Sequence, residues 1–395
     1  MNILFLLRLW PLYGGGGETV KICLANEMAK RGWQVSVAYF LDHSKDVLPF
    51  IDGRIETVKI HDVDCDEFHA NLNDSEKARR ALMNYINENG IEVVINQWWP
   101  VEYIKGVREA CGMKMVKCLH TAFYRLPIDD PNPLRKLVKT VLKPWYVGRT
   151  RQLAIREVVS FLPYVDKYVF LSPRFQKDFQ DTAGFIDTRN LLGAIPNPTV
   201  FDTSFNMDEY PKKEKTVLLV GRMEDSQKKI TRAIKVWRLI EADERLSEWK
   251  FVLVGEGRDL PMYMRMVKKY GLRRVFFEGY RQPRPYYEKS RIFLMTSDFE
   301  GFGMTLVESQ QNAVVPIVMD SFLSLHDIVE DKVNGLIVGD KDVKGFAVAL
   351  KSLMLDDVLC RRLAEKGVET CRRFSVAKVV DRWEQLLRGL YRSPV

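Results

Sequence analysis

Apolar residues occur along this chain in short unbroken runs, and between the runs they recur at helical spacing. In the first half the runs fall at Asn2–Leu7, Gln34–Phe40, Ile91–Ile95, Met115–Leu119 and Tyr168–Leu171. In the second half they fall at Thr216–Val220, Lys250–Val254, Val275–Phe277, Ile292–Met295, Val315–Val318 and Leu336–Val338. Such runs, rich in β-branched residues, predict strands buried on both faces. Glu18–Arg31, Val101–Ala110, Ile230–Ile240, Leu260–Lys269 and Val343–Met354 carry a helical pattern and lie between them. Strand-helix alternation predicts a parallel, doubly wound α/β sheet in each half. A chain of 395 residues is also too long for one ordinary core. Two α/β domains follow, divided at Pro196-Asn197-Pro198, because two prolines there cannot lie inside a helix.

Two stretches stand apart from the alternation. Phe374–Tyr391 spaces Val379, Val380, Trp383, Leu386, Leu387 and Leu390 as a terminal helix. Residues 131–162 set Arg135, Lys136, Lys139, Lys143, Arg149, Arg151 and Arg156 among Leu134, Val138, Val141, Leu142, Trp145 and Tyr146. The pattern predicts two helices split near Pro144. A basic helix with Trp and Tyr suits a membrane interface, giving peripheral contact through Arg135–Arg156. The competing reading is a solvated basic face over an apolar stripe.

Composition changes this picture little. Hydrophobic residues at 46% and charged residues at 28% describe an ordinary globular protein. No apolar run is long enough to span a bilayer. The opening run stops at Arg8 and lacks a basic leader, so it reads as a first strand and not as a secretion signal. The six cysteines (Cys23, Cys65, Cys111, Cys118, Cys360, Cys371) form no C-x-x-C pair and read as thiols in a reducing cytoplasm. Sixty basic against 52 acidic residues leave a net charge of +8. That suits an anionic substrate or an acidic membrane surface. Without a nucleic-acid-binding motif it does not argue for nucleic acid. Asp62, Asp64 and Asp66 alternate like calcium ligands, but the glycine and distal glutamate of a calcium loop are missing, so no metal site is expected.

The chemistry concentrates at strand ends, where open α/β sheets bind ligands. After the run Ile292–Met295 comes Ser297-Asp298-Phe299-Glu300-Gly301-Phe302-Gly303-Met304-Thr305-Leu306-Val307-Glu308. One carboxylate lies in a glycine-containing turn and the other on the helix that follows. After Thr216–Val220 come Gly221 and Arg222, with Lys228 six positions beyond the arginine. Such fixed cations stabilise charge developing on a leaving phosphate, and arginine adds a planar fork. Gly14-Gly15-Gly16-Gly17-Glu18-Thr19 leads from the first strand into a helix and lets a ligand approach the backbone closely. His120 ends the run Met115–Leu119.

Together these motifs resemble the retaining glycosyltransferases of family 4, the group 1 glycosyl transferases of the GT-B fold. The resemblance covers nearly the whole chain and is most specific in its second half. It implies two Rossmann-like doubly wound domains facing across a cleft. Residues 1–197 would bind the acceptor, residues 198–373 would bind the donor, and the helix within 374–395 would return to the first domain. By the same resemblance Glu300 contacts the donor sugar and Glu308 the ribose. Gly301, Phe302, Gly303, Met304 and Thr305 line the donor, and Gly221, Arg222 and Lys228 grip the diphosphate. Gly16 and Gly17 border diphosphate and acceptor, and His120 lies beside the anomeric centre. The implied reaction is metal-free transfer with retention from a nucleotide sugar, a UDP- or GDP-sugar, to a lipid-linked or surface-polysaccharide glycan on the cytoplasmic side.

The sequence departs from the family in three places. Lys229 and Ala313 stand where glycine is common, and Ser321-Phe322-Leu323-Ser324 replaces a Gly-Gly turn. The lysine change leaves open whether Lys228 or Lys229 meets phosphate, and the alanine change is mild unless a positive φ is required. The other activities open to this fold are a nucleotide-sugar epimerase, a phosphorylase, or a non-catalytic membrane- or partner-binding protein.

Overall fold

A computed structural model of the chain describes residues 1–10, 16–42, 51–60, 72–119, 133–201 and 205–391. The chain divides into two compact units, one formed by Met1–Val200 with Val376–Val395 and the other by Phe201–Ser375.

The first unit is built on strands β1 (Asn2–Leu6), β3 (Gln34–Tyr39), β5 (Glu56–Lys59), β6 (Val93–Asn96), β7 (Lys114–Cys118), β8 (Lys167–Phe170) and β9 (Leu192–Ala194). They form one parallel sheet in the order β5-β3-β1-β6-β7-β8-β9. The two-residue strands β2 (Leu9–Trp10) and β4 (Leu41–Asp42) pair separately. The apolar runs of the sequence lie in the middle of the sheet. The two edge strands, β5 and β9, carry no such run. In β5 the alternation is lost because Glu56, Thr57 and Lys59 face solvent.

The second unit repeats the plan with β10 (Thr216–Val220), β11 (Lys250–Val254), β12 (Val275–Phe277), β13 (Ile292–Met295), β14 (Val315–Asp320) and β15 (Leu336–Gly339). Their order is β12-β11-β10-β13-β14-β15, again all parallel. Each sheet is thus wound outward in both directions from its first strand. The topological switch points lie at β1/β6 and β10/β13, where a crevice opens at the carboxyl ends of the strands. Trp237, Phe251, Leu294, Ile317 and Phe346 are among the fully buried side chains of the second core. Two Rossmann-like parallel sheets, the fold class expected from the sequence, are present.

One helix expectation needs correction. Val101–Ala110 is not continuous: a short 3₁₀ turn at Val101–Tyr103 is followed by a helix at Val107–Cys111. Gly106, at φ +73°, breaks the two apart. Residues 131–162 do form two helices, Pro133–Val141 and Lys143–Phe161, meeting at Leu142 with Pro144 in the first turn of the second. Their apolar stripe does not pack inward: Leu134, Val141 and Trp145 are 73%, 71% and 56% exposed, and Val138 and Leu153 are exposed too. Helix Val376–Gly389 belongs to the first unit, where it buries Val379, Val380, Trp383 and Leu387. Arg31 holds it through Asp381 at 2.7 Å and Glu384 at 3.3 Å. Among the described residues no helix is long and apolar enough to cross a membrane.

Candidate active site

The second unit gathers its chemistry at the switch between β10 and β13. Leaving β10, the chain runs through Gly221 and Arg222 into a four-residue helical turn, Asp225–Lys228. Backbone bonds fix this exit: Gly221 N–H donates to Val254 O at 3.0 Å and Met223 N–H to Glu256 O at 2.8 Å. The loops lie so close that a Cβ on Gly255 would sit 2.0 Å from Gly221 O, and Gly255 has φ +136°. Glycine is required there on both counts. The turn is pinned from below by Asp225, which accepts from Thr231 N–H at 2.9 Å, Thr231 Oγ1 at 3.0 Å and Tyr263 OH at 3.3 Å.

Leaving β13, the chain reaches Glu300 and then helix Met304–Gln311, entered through Gly303 at φ +97°. The two exits meet. Lys228 Nζ donates to Glu300 Oε1 at 2.7 Å. Gln227 Nε2 donates to Glu300 Oε2 and to Phe299 O, both at 3.2 Å. Gln227 Oε1 accepts from Arg222 Nη2 at 3.0 Å. Arg222 is otherwise mostly solvent-exposed, with Glu224 at 3.7 Å. Its guanidinium is open to an anion, whereas Lys228 and Glu300 are largely buried. Lys229 instead turns to Asp298 at 3.5 Å. Of the two lysines, Lys228 is the one that joins the arginine–glutamate group.

Glu308 stands on the helix that follows and is buried. Tyr287 OH donates to its Oε2 at 3.0 Å. Burial pushes the Glu308 carboxyl up to about 7, against the Tyr287 bond and the positive charge of Lys228, which both pull it down. Burial beside this carboxylate also raises the Tyr287 phenol well above its ordinary range. Gly301, Phe302, Gly303, Met304 and Thr305 form the turn and helix start between the two glutamates. Phe302 is buried edge-on against Phe374 at 5.6 Å and fixes the turn. The substituted loop after β14 closes on the same turn: Ser324 Oγ donates to Phe302 O at 3.1 Å and Ser321 Oγ to Ser297 O.

The structure thus brings Arg222, Lys228 and Glu300 into one hydrogen-bonded group, with Gly221 beside it and Glu308 nearby. An added Cβ on Gly221 would come within 3.2 Å of Lys228 Cε, so the glycine leaves room for the lysine stem. Gly16 and Gly17 open helix Gly16–Lys30 in the first unit. His120 lies outside the described residues, as do Gly14, Gly15, Asp62, Asp64 and Asp66. Among the described residues no cluster of His, Cys, Asp and Glu is arranged to hold a metal ion. Sequence reasoning missed Gln227 and Tyr287. Gln227 had a legible signal in its place beside Lys228, but Tyr287 lies far from Glu308 in sequence and carried none.

Residues 201–370, nearly the whole second unit, match the family model for glycosyl transferases group 1. The second unit is similar to the group 1 glycosyl transferases. The chain is similar to a Campylobacter jejuni α-1,4-N-acetyl-D-galactosaminyltransferase whose name specifies an undecaprenol-diphosphate-linked glycan, at 23% identity over 98% of each chain. Among solved structures, the lipopolysaccharide outer core galactosyltransferase WaaB superposes with a TM-score of 0.71 at 16% identity, covering 98% of this chain and 99% of that one. HepE of Anabaena, in complex with UDP, superposes with a TM-score of 0.72 at 18% identity, covering 98% and 100%. These structural likenesses carry the GT-B fold. The glycosyltransferase assignment rests on the family match and the curated relatives.

Proposed function

We propose that this glycosyltransferase moves a sugar from a nucleotide diphosphate sugar, a UDP- or GDP-sugar, to a hydroxyl of a lipid-linked or surface-polysaccharide glycan, with retention and without a metal ion. The observation that carries the reading is the joined group of Arg222, Gln227, Lys228 and Glu300 at the switch point of the second sheet. A diphosphate gains negative charge as the glycosidic bond breaks. Arg222 and Lys228 meet that charge with dipoles and cations already in place, which is where electrostatic catalysis is most effective. In this reading they supply the charge a metal would otherwise bring. Glu300 accepts from donor-sugar hydroxyls and Glu308 from the ribose. His120, by family resemblance, orients the anomeric centre. Gly16 and Gly17 offer backbone N–H groups at a helix start to the diphosphate and the acceptor.

The uridine reading draws support from HepE, solved with UDP and with UDP-glucose. The lipid-linked acceptor draws support from the Campylobacter relative. The same reading puts the enzyme on the inner face of a membrane, reached through the exposed stripe on helices Pro133–Val141 and Lys143–Phe161. Trp145, Gly148, Arg149, Gln152, Leu153 and Arg156 also line a hollow of about 430 Å³ there.

The roles separate by mutation. Glu308→Ala is expected to weaken UDP binding about tenfold or more, by removing a buried charged hydrogen-bond acceptor. Arg222→Ala is expected to slow turnover by roughly 10²-fold, the scale of losing one transition-state donor, with little change in UDP affinity. Calorimetric titration alongside nucleotide-release kinetics checks both. Full activity in both variants would remove the site assignment.

A further inference from the structure

Among the described residues, Gln227 is the side chain that touches both the exposed cation and the sugar-facing carboxylate of this site. It leaves the short turn Asp225–Lys228 and spans three segments. Its Oε1 accepts from Arg222 Nη2 at 3.0 Å. Its Nε2 donates at 3.2 Å to Glu300 Oε2 and to Phe299 O. Its main-chain oxygen accepts from Asp298 N–H at 2.8 Å, so turn and loop are also joined independently of the side chain.

We infer that Gln227 is a positioning residue: its amide fixes the distance and orientation between Arg222, which meets the diphosphate, and Glu300, which meets the transferred sugar. The inference rests on the glycosyl-transfer reading above. The chemistry of the amide carries it. A guanidinium offers only donors and an ionised carboxylate only acceptors, so the bridge between them must accept at one end and donate at the other. Glutamine does this without net charge, carrying an acceptor oxygen and a two-proton donor nitrogen on one planar amide. A glutamate at 227 would satisfy Arg222 but turn a second carboxylate towards Glu300. A methionine of similar length would satisfy neither.

Positioning matters here for two reasons. Arg222 is a long, exposed side chain with Glu224 as its other neighbour, at 3.7 Å. Without Gln227 it is free to leave the site. Glu300 has one oxygen held by Lys228 and the other by Gln227. Losing either bond lets the carboxylate plane rotate. The substrate then meets groups that must still be ordered during the reaction, which slows the chemical step more than it weakens binding.

The test compares Gln227→Met, Gln227→Asn and Gln227→Glu with the wild type on the donor the wild type uses. All three keep the main-chain bond to Asp298. The expected result for Gln227→Met is a kcat lowered about 10- to 100-fold, with donor KM and UDP Kd within about threefold and an unchanged melting temperature. Gln227→Glu is expected to lose at least as much kcat, although it is the closest isostere. Gln227→Asn is expected to fall between wild type and Gln227→Met. A Gln227→Met or Gln227→Glu enzyme with wild-type kcat would overturn the inference, as would kcat falling only in step with melting temperature. A wild type that turns over no donor would instead overturn the glycosyl-transfer reading, and this inference with it.

Discussion

Glu308 combines burial, one phenol partner and a pKa of about 7. An ordinary glutamate titrates near 4.5, so between those values the folded chain holds a proton that the unfolded chain has lost. The stability linked to this proton is complete below about pH 4.5 and is lost as pH rises through 7. Glu308→Gln keeps the shape and cannot ionise. Relative to wild type it is expected to gain stability from pH 5 to pH 8, by up to about 3 kcal/mol. Urea unfolding of both proteins at the two pH values checks this, and parallel curves would contradict it. In the proposed role, only the ionised form offers both oxygens to ribose hydroxyls. UDP affinity is therefore expected to rise from pH 6 to pH 8 in the wild type and to stay flat in Glu308→Gln. Glu300 and Glu308 were legible in the sequence because one short segment carries both. Tyr287 was not, because its role exists only once a helix before β13 is folded against the helix after it.

Helices and turns show a different limit. Lys229 and Ala313 stand where the family commonly has glycine, and both adopt left-handed backbone, at φ +49° and +54°. The alanine is therefore not a mild change: its conformation costs about 1–2 kcal/mol relative to ordinary helix geometry. Lys229 gives the cleaner test: its side chain is largely buried, but its contact with Asp298 is long, at 3.5 Å. Lys229→Gly relieves the strain and is expected to be neutral or to stabilise by up to about 1 kcal/mol. Lys235→Gly, at an exposed position inside helix Ile230–Glu241, is expected to destabilise by about 1 kcal/mol. Equal losses in the two variants would contradict the strain argument. The central strands were readable because burial on both faces forces continuous apolar runs. Edge strand β5 was not, because Glu56 and Lys59 need no apolar signal to pair along one side.

At the scale of the whole chain, the alternating pattern was enough to foresee two parallel sheets, since helices on both faces of a parallel sheet bury such two-sided strands. What the pattern left open was the direction of the basic stripe in residues 131–162. In the structure Leu134, Val138, Val141 and Trp145 face outward, with Arg135, Lys139 and Arg149 around them. An outward apolar stripe edged with cations fits an anionic bilayer, through apolar insertion and charge together. The protein is expected to float with phosphatidylglycerol vesicles and not with phosphatidylcholine vesicles, and to be released by high salt. Val141→Asp with Trp145→Asp is expected to abolish flotation while leaving UDP binding intact. Wild-type protein that stays at the bottom of the gradient with both lipids would contradict the membrane contact.

The group at the β10/β13 switch is proposed to be a nucleotide-sugar site. The most direct test is nucleotide release by the purified protein across UDP-, GDP- and ADP-sugars, each with and without EDTA, backed by titration of the bare nucleotides. The expected result is release from a UDP- or GDP-sugar at a rate that EDTA leaves unchanged, and binding of the matching nucleotide. Failure to bind any nucleotide, or release abolished by EDTA, would contradict it.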